Sequence, residues 1–457
     1  MTDHSFDVVV LGGGSGGYAA AVRAAELGKS VALVEKDKVG GTCLHRGCIP
    51  TKALLHAAEV ADLAREASAV GVRATFDAID PEGVRAYREG IVAKKFKGLE
   101  GLVKARGITV VTGEGLLEAD RAVRVGDDRY VGADVILATG SYSRTLPGLE
   151  IGGRILTSEQ ALELSEIPSR VVVLGGGVIG VEFASVWRSF GADVTIVEAL
   201  DHLVPVEDVA LSKGLERAFR RRGIAYSLGV RFASATQTAD AVTVTLEDGK
   251  TFEADYLLVA VGRGPATSGL GYEEAGIALE RGFVVVDERL RTSAEHVWAV
   301  GDIVPGLQLA HRGFQQGIFV AEEIAGLNPV VVPDAHVPRV TYSHPEVASV
   351  GLSEAKAAET HGQDGIVAYE YNLAGNGRSE ILGTSGVVKV VRLKDGPIIG
   401  VHLIGDRVGE LITEGQLAVG WEAHPEDIAP FVHAHPTQSE ALGEAFLALA
   451  GKPLHAL

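Results

Sequence analysis

The spacing Gly12-x-Gly14-x-x-Gly17 constrains this chain more than any other feature, because the unit around it occurs twice. Phe6 to Leu11 reads as a buried strand and leads straight into the glycines. A helix-compatible run from Tyr18 to Leu27 follows, with Gly28 as its C′ residue, and the next strand, Ser30 to Val34, ends in Glu35. In such a βαβ unit the glycines permit a sharp turn and a close approach of backbone to pyrophosphate. The helix N-terminus offers N–H groups and positive dipole, and the acidic residue accepts ribose hydroxyls. Glycine spacing alone is weak, but here strand, helix and acid all stand where the mechanism needs them. The unit returns 163 residues later: Val171 to Leu174, then Gly175, Gly177 and Gly180, a helical run ending near Gly191, and a strand Asp193 to Val197 that ends in Glu198. From first glycine to acid the separation is 23 residues in both copies. Each copy is closed by a late strand, Ala133 to Ala138 before Thr139-Gly140 and Ala254 to Val261 before Gly262. Two dinucleotides are expected, each on its own domain.

A length of 457 residues suggests about three domains, each able to bury a core. A net charge of −18 argues against nucleic acid, which needs clustered Lys and Arg, and is compatible with a basic protein partner. Met1 to Asp7 has no basic n-region, and Val8 to Leu11 is far too short for a signal segment or a membrane span, so a cytoplasmic protein away from the membrane is expected.

The first unit is followed by Gly40-Gly-Thr-Cys43-Leu-His-Arg-Gly-Cys48-Ile-Pro-Thr-Lys52, which holds the only two cysteines of the chain. Taken alone, these are buried free thiols, a redox pair, or, with His45, three ligands of a zinc site. Five residues of regular helix rise about 7.5 Å, beyond the usual disulfide Cα separation of about 4.4–6.8 Å, so a bonded pair requires a break in any helix here. Gly47 is the residue best able to take that bend. The stretch by itself leaves these readings open.

Elsewhere Thr51 to Glu66 and Ala86 to Arg106 read as helices, the second with Lys94, Lys95 and Lys97 as a solvated face. Phe283 to Asp287 and Val297 to Val300 read as strands, the latter running into Gly301-Asp302, an acid that either caps a turn or binds a polyol. From residue 336 the texture is α+β with no nucleotide fingerprint.

With two dinucleotide units, and Gly-Gly-Thr-Cys-x4-Cys-Ile-Pro-x-Lys after the first, the chain resembles the FAD-dependent pyridine nucleotide-disulfide oxidoreductases from end to end. His433-Ala-His435-Pro-Thr-Gln438-Ser-Glu440 is similar to that family's acid-base motif, with Gln438 where Leu is common. The resemblance implies a glutathione-reductase-like α/β fold. It comprises an FAD domain in two parts (1–145 and 269–335), an NAD domain (146–268) and a C-terminal α+β dimerisation domain (336–457). It assigns FAD to Gly12, Gly14, Gly17, Glu35, Lys52, Gly115, Thr139, Gly140, Asp302 and Ala310, and NAD to Gly175, Gly177, Gly180, Glu198 and Gly262. Cys43 maps to the interchange thiol, Cys48 to the flavin-facing thiol, and Lys52 and Glu182 to a pair beside the flavin. His435, oriented by Glu440, maps to the acid-base residue that serves the partner subunit of a homodimer. Alternation along an extended segment does not separate His433 from His435; the family spacing to Glu440 does. Pro436 restricts His435 to extended backbone, and the family shows a cis bond there.

Within the family the likeness is to members that oxidise a dihydrolipoyl group on an E2 or H-protein carrier of 2-oxo acid or glycine-cleavage complexes and dock to an E2 subunit-binding domain. Glu198 favours NAD by repelling a 2′-phosphate, by up to about 4 kcal/mol for charges near 4 Å at effective ε near 20. No Arg follows between Ala199 and Pro205 to receive one, which disfavours the NADPH-dependent glutathione reductases. The tail from Ala441 has no cysteine, which disfavours mercuric and large thioredoxin reductases. The alternatives are an NADH-dependent reductase of another small disulfide and a non-catalytic flavin-bearing subunit.

Overall fold

Val8, Val9 and Val10 have no exposed surface and Leu11 keeps 3%, as a parallel strand covered on both faces requires. The computed structural model, which describes residues 2–455, pairs this strand, β1 (Thr2–Leu11), in parallel with β2 (Val31–Glu35) and with Asp128–Leu137. Helix α1 (Ser15–Glu26) makes the crossover. Thr109–Thr112 extends the sheet past β2, and Val297–Ala299 pairs with Asp128–Leu137. Ala20, Ala21 and Ala24 of α1 are fully buried, and the helix Ala310–Ile324 approaches so closely that a Cβ on Gly317 would stand 2.3 Å from the Gly16 carbonyl oxygen.

After β2 come α2 (Gly41–Arg46), α3 (Cys48–Glu66) and α4 (Pro81–Ala105). Asp80 caps α4 by accepting the Glu82 N–H, with Pro81 at the first position, where its missing N–H costs nothing. The strand expected over 283–287 is confined to Phe283–Val284, because the Asp287 carboxylate accepts the N–H groups of Arg289 and Arg291 and turns the chain. These elements, apart from α3 beyond Leu54, belong to one of two compact units, Met1–Leu54 with Asp80–Arg144 and Gly262–Val332; the other is Leu55–Ile79, Thr145–Val261 and Pro333–Leu457.

In the second unit Arg170–Leu174 pairs in parallel with Asp193–Val197 and Tyr256–Val259, the arrangement of β1 with its two neighbours, and the helix Val178–Phe190 is the crossover. Ala225–Ser227 and Ile155–Thr157 form the edges. The C-terminal part is a five-stranded antiparallel sheet in the order 339–341, 346–351, 398–405, 387–393, 366–372. Val388, Val390, Val401 and Leu403 of this sheet share a core with Leu442 and Phe446 of the helix Glu440–Leu449, the α+β texture the sequence implies. No helix among the described residues is long and apolar enough to cross a membrane.

Candidate active site

The two glycine turns assign the same task to each of their glycines. Gly12 and Gly175 hold φ of +104° and +110°, and a Cβ would stand 2.3 Å from Ala138 O in one and 2.4 Å from Ala260 O in the other. On Gly17 and Gly180 a Cβ would fall 1.8 and 1.9 Å from the carbonyl oxygens of Gly12 and Gly175. Packing alone therefore demands the first and third glycines. Gly14 and Gly177 differ: both sit at extended helix N-caps without a side-chain cap, and a Cβ there meets nothing within 4 Å. Each turn thus opens a cradle beside an uncapped helix N-terminus, which fits a dinucleotide pyrophosphate.

Each acid braces its own turn. Glu35 accepts the Gly13 N–H at 2.7 Å and the Asp37 N–H at 2.9 Å, while Glu198 accepts the Gly176 N–H at 2.6 Å and the Leu200 N–H at 2.8 Å. Burial pushes the Glu35 carboxyl above its ordinary range. Nearby in the first unit, Asp302 lies on a short 3-10 turn and accepts the Ser141 hydroxyl at 2.5 Å, and Arg263 Nε donates to that same oxygen at 2.7 Å. Neither Ser141 nor Arg263 stands out in the sequence beyond adjacency to Gly140 and Gly262. Thr139 Oγ1 donates to Ala266 O at 2.7 Å and lies 2.9 Å from the Tyr272 hydroxyl. Gly140 has φ +75°, Gly115 packs on Leu11 and Val34, and Ala310 opens the helix against α1. Gly262, expected with the NAD set, belongs to the first unit, where its carbonyl accepts the Arg144 N–H at 3.0 Å.

The thiol segment breaks where the spacing requires. Helix α2 stops at Arg46, Gly47 adopts φ −142° and ψ −109°, and α3 starts at Cys48. Gly40 and Gly41 have φ of +109° and +58°, and a Cβ on Gly41 would stand 2.7 Å from Gly14 Cα, so the segment lies directly against the first glycine turn. No disulfide joins the two thiols in this structure. The hydrogen bond to Cys48, with burial next, pushes the Cys43 thiol far above the usual range, and the Lys52 charge works against that rise. Lys52 follows Cys48 by one turn of α3, on the same face. His45 and Arg46 anchor the loop: His45 Nε2 is 3.0 Å from Val39 O, its ring meets Phe96 of α4 edge-on with centroids 4.9 Å apart, and Arg46 pairs with Asp37.

In the second unit His435 Nδ1 lies 2.9 Å from Glu440 Oε1, and Glu440 Oε2 accepts the Thr437 N–H at 2.7 Å. Burial works to raise the Glu440 carboxyl, but those hydrogen bonds outweigh it and hold the group below the ordinary range. The His435-Pro436 bond is cis. His433 has its own acid, Glu414, at 2.8 Å, and that bond raises its pKa. Exposure separates the two histidines: 80% of the His435 side chain is accessible against 16% for His433. His433 and Glu414 are 19 residues apart, and no local signal links them. Asn376 Nδ2 donates to Thr437 O at 2.9 Å and ties the segment to the body, while the buried Gln438 Nε2 has no partner among the described residues. Glu182 is buried and accepts the Tyr342 N–H at 2.9 Å.

The pyridine nucleotide-disulphide oxidoreductase profile matches residues 6–317, and that family's dimerisation-domain profile matches residues 337–446. The chain is 41% identical to a dihydrolipoyl dehydrogenase of Bacillus subtilis, over 98% of this chain and 99% of that one. It is 38% identical to the mitochondrial dihydrolipoyl dehydrogenase of Pisum sativum, over 98% and 92%. Among solved structures, LpdA of Mycobacterium tuberculosis superposes with a TM-score of 0.90 at 29% identity, covering 98% of this chain and 100% of that chain. The HOCl-induced flavoprotein disulfide reductase RclA of Escherichia coli, as its Cu(II) complex, gives 0.87 at 28% identity, covering 97% and 99%.

Proposed function

The chain belongs to the pyridine nucleotide-disulphide oxidoreductase family, and on that premise we propose that it oxidises a protein-bound dihydrolipoyl group to its disulfide with NAD+ as final acceptor. It is an enzyme with FAD and NAD as cofactors. The observation that carries the reading is the thiol pair on a helix broken at Gly47, seated against the first glycine turn.

In the oxidised enzyme Cys43 and Cys48 are joined. A substrate thiol loses its proton to His435 Nε2, the nitrogen not turned to Glu440, and the thiolate attacks Cys43 Sγ. The Cys43–Cys48 bond breaks, a mixed disulfide forms on Cys43, and Cys48 leaves as thiolate. The second substrate thiolate then attacks the substrate sulfur of that mixed disulfide, closing the cyclic disulfide and freeing Cys43. Cys43 keeps one proton, in keeping with its raised thiol, and the other leaves through His435. When bound, FAD supplies the two-electron relay from the thiol pair to NAD+. Lys52 holds positive charge beside the thiols. Glu440 fixes the orientation of the His435 ring and leaves Nε2 free to act.

The dimerisation domain supports a homodimer; in our reading each exposed His435 serves the thiol pair of the partner subunit. The carrier is an E2 or H-protein, the second partner an E2 subunit-binding domain, and the compartment the cytoplasm. The test is turnover of purified flavin-loaded protein with dihydrolipoamide and NAD+, beside NADH with glutathione or mycothiol disulfide. NADH formation from dihydrolipoamide is expected; activity confined to another disulfide would reject the substrate.

A further inference from the structure

We propose that the exposed face of α4 is the docking surface for an acidic carrier domain that presents its dithiol to the Cys43 end of the thiol pair. This rests on the reading of the chain as an oxidoreductase of a carrier-bound dithiol.

Residues 91–105 contain Lys94, Lys95, Lys97 and Lys104 against a single carboxylate, Glu100, in a chain whose net charge is −18. All four lysines are exposed, and none of their side chains has an ion pair or hydrogen bond among the described residues. Ion pairs do form on the same helix, as Arg85 with Glu89 shows. At 100° per residue, the buried Arg88 and Val103 and the half-buried Phe96 mark the inward face of α4, and Lys94 and Lys97 point to the other side.

That outer face is also flat. Gly90, Gly98 and Gly101 lie on it, are exposed, and would place a Cβ within 4 Å of nothing. Each glycine costs roughly 1 kcal/mol relative to alanine in a helix interior, and no tertiary contact of this structure calls for the missing side chains. A second backbone brought close to the helix would. The helix itself runs beside the thiol segment: its inward Phe96, flanked in sequence by Lys95 and Lys97, touches His45, two residues from Cys43. From Lys94 to Lys104 the helix rises about 15 Å, the scale of a protein surface rather than of a small dithiol. An acidic domain carrying the dithiol on an arm complements this face in charge, and a cluster of this size steers its approach within the Debye length of about 8–10 Å.

The experiment compares two substrates, free dihydrolipoamide and a reduced lipoyl group on an isolated carrier domain of net negative charge. The protein is flavin-loaded wild type or the triple variant Lys94→Glu, Lys95→Glu, Lys97→Glu. At low ionic strength kcat/KM for the carrier is expected to fall at least about 10-fold, with the gap closing as salt rises, while free dihydrolipoamide changes less than about twofold. Should the triple variant fail to retain flavin, wild type alone decides: its KM for the carrier must rise with salt while that for free dihydrolipoamide does not. Equal losses on both substrates, or a carrier reaction indifferent to charge reversal and salt, overturn the docking surface alone. Absence of wild-type turnover with free dihydrolipoamide overturns the functional reading beneath it as well.

Discussion

Alanine at Gly177 and alanine at Gly180 add the same methyl group three residues apart, with opposite expected results. Helix propensity by itself favours Gly180→Ala by at most about 1 kcal/mol. Against that, the new Cβ would stand 1.9 Å from Gly175 O and 3.1 Å from Val173 Cγ1, where contacts under 3.0 Å are essentially never seen. The struck atom is backbone in a turn already held by the Gly176–Glu198 hydrogen bond, so relief requires a shift of more than an ångström in a braced segment. Overpacking of that kind costs about 1–3 kcal/mol or more and outweighs propensity, so Gly180→Ala is expected to destabilise with or without nucleotide. Gly177 has φ −75° and ψ −176°, which alanine adopts without strain, and open space at the Cβ position. Its alanine variant should unfold within about 0.5 kcal/mol of wild type. The methyl would occupy the pyrophosphate cradle, so KM for NAD+ should rise about 10-fold, equivalent to about 1.4 kcal/mol. The assay pairs thermal midpoints measured without added NAD+ with KM for NAD+ on flavin-loaded protein. In the first turn Gly17→Ala and Gly14→Ala repeat the contrast, with flavin retention as the readout. A Gly177→Ala midpoint as low as that of Gly180→Ala, or a stabilised Gly180→Ala, would refute the division of labour among the glycines.

Cys48→Ala removes the hydrogen bond that holds the Cys43 thiol high; Cys43 should then alkylate with a pH midpoint nearer that of an ordinary thiol, with lipoamide turnover lost, as peptide mass spectrometry and activity together report. His435→Gln touches a side chain that is 80% exposed, so folding and flavin content should be unchanged while turnover drops by about 10²–10⁴; a stable variant with full activity would remove His435 from the mechanism. Burial pushes the Glu346 carboxyl, which accepts the Gly409 N–H, up from 4.5 to about 7. Between those values the folded state keeps a proton the unfolded state has released, so stability should fall as pH rises through the window, by up to about 3 kcal/mol. Glu346→Gln should flatten that slope in midpoints measured across pH 5–8; parallel slopes for variant and wild type would show that Glu346 is not its source.

What the sequence determined by itself was whatever is encoded over short stretches. Two glycine turns with their strands, helices and terminal acids are legible because each unit needs about 30 residues and one period change. The break at Gly47 is legible because five residues of helix rise too far for a thiol pair. The α+β character of the C-terminal part follows from its β-rich segments and the helical stretches after them, and the pairing of His435 with Glu440 from the family's spacing. Tertiary structure decided whatever depends on partners far away in the chain. It gave His433 to Glu414 and left His435 exposed, a choice that strand alternation leaves open. It turned Glu35 and Glu198 into braces of their own turns, joined Asp302, Ser141 and Arg263 across more than 100 residues, and set His45 on Phe96 so that α4 became a neighbour of the thiol segment. The physical reason is the same in each case: backbone periodicity and turn sterics are local, whereas burial, exposure and the partner of a charged side chain are set by which distant segments the core brings together.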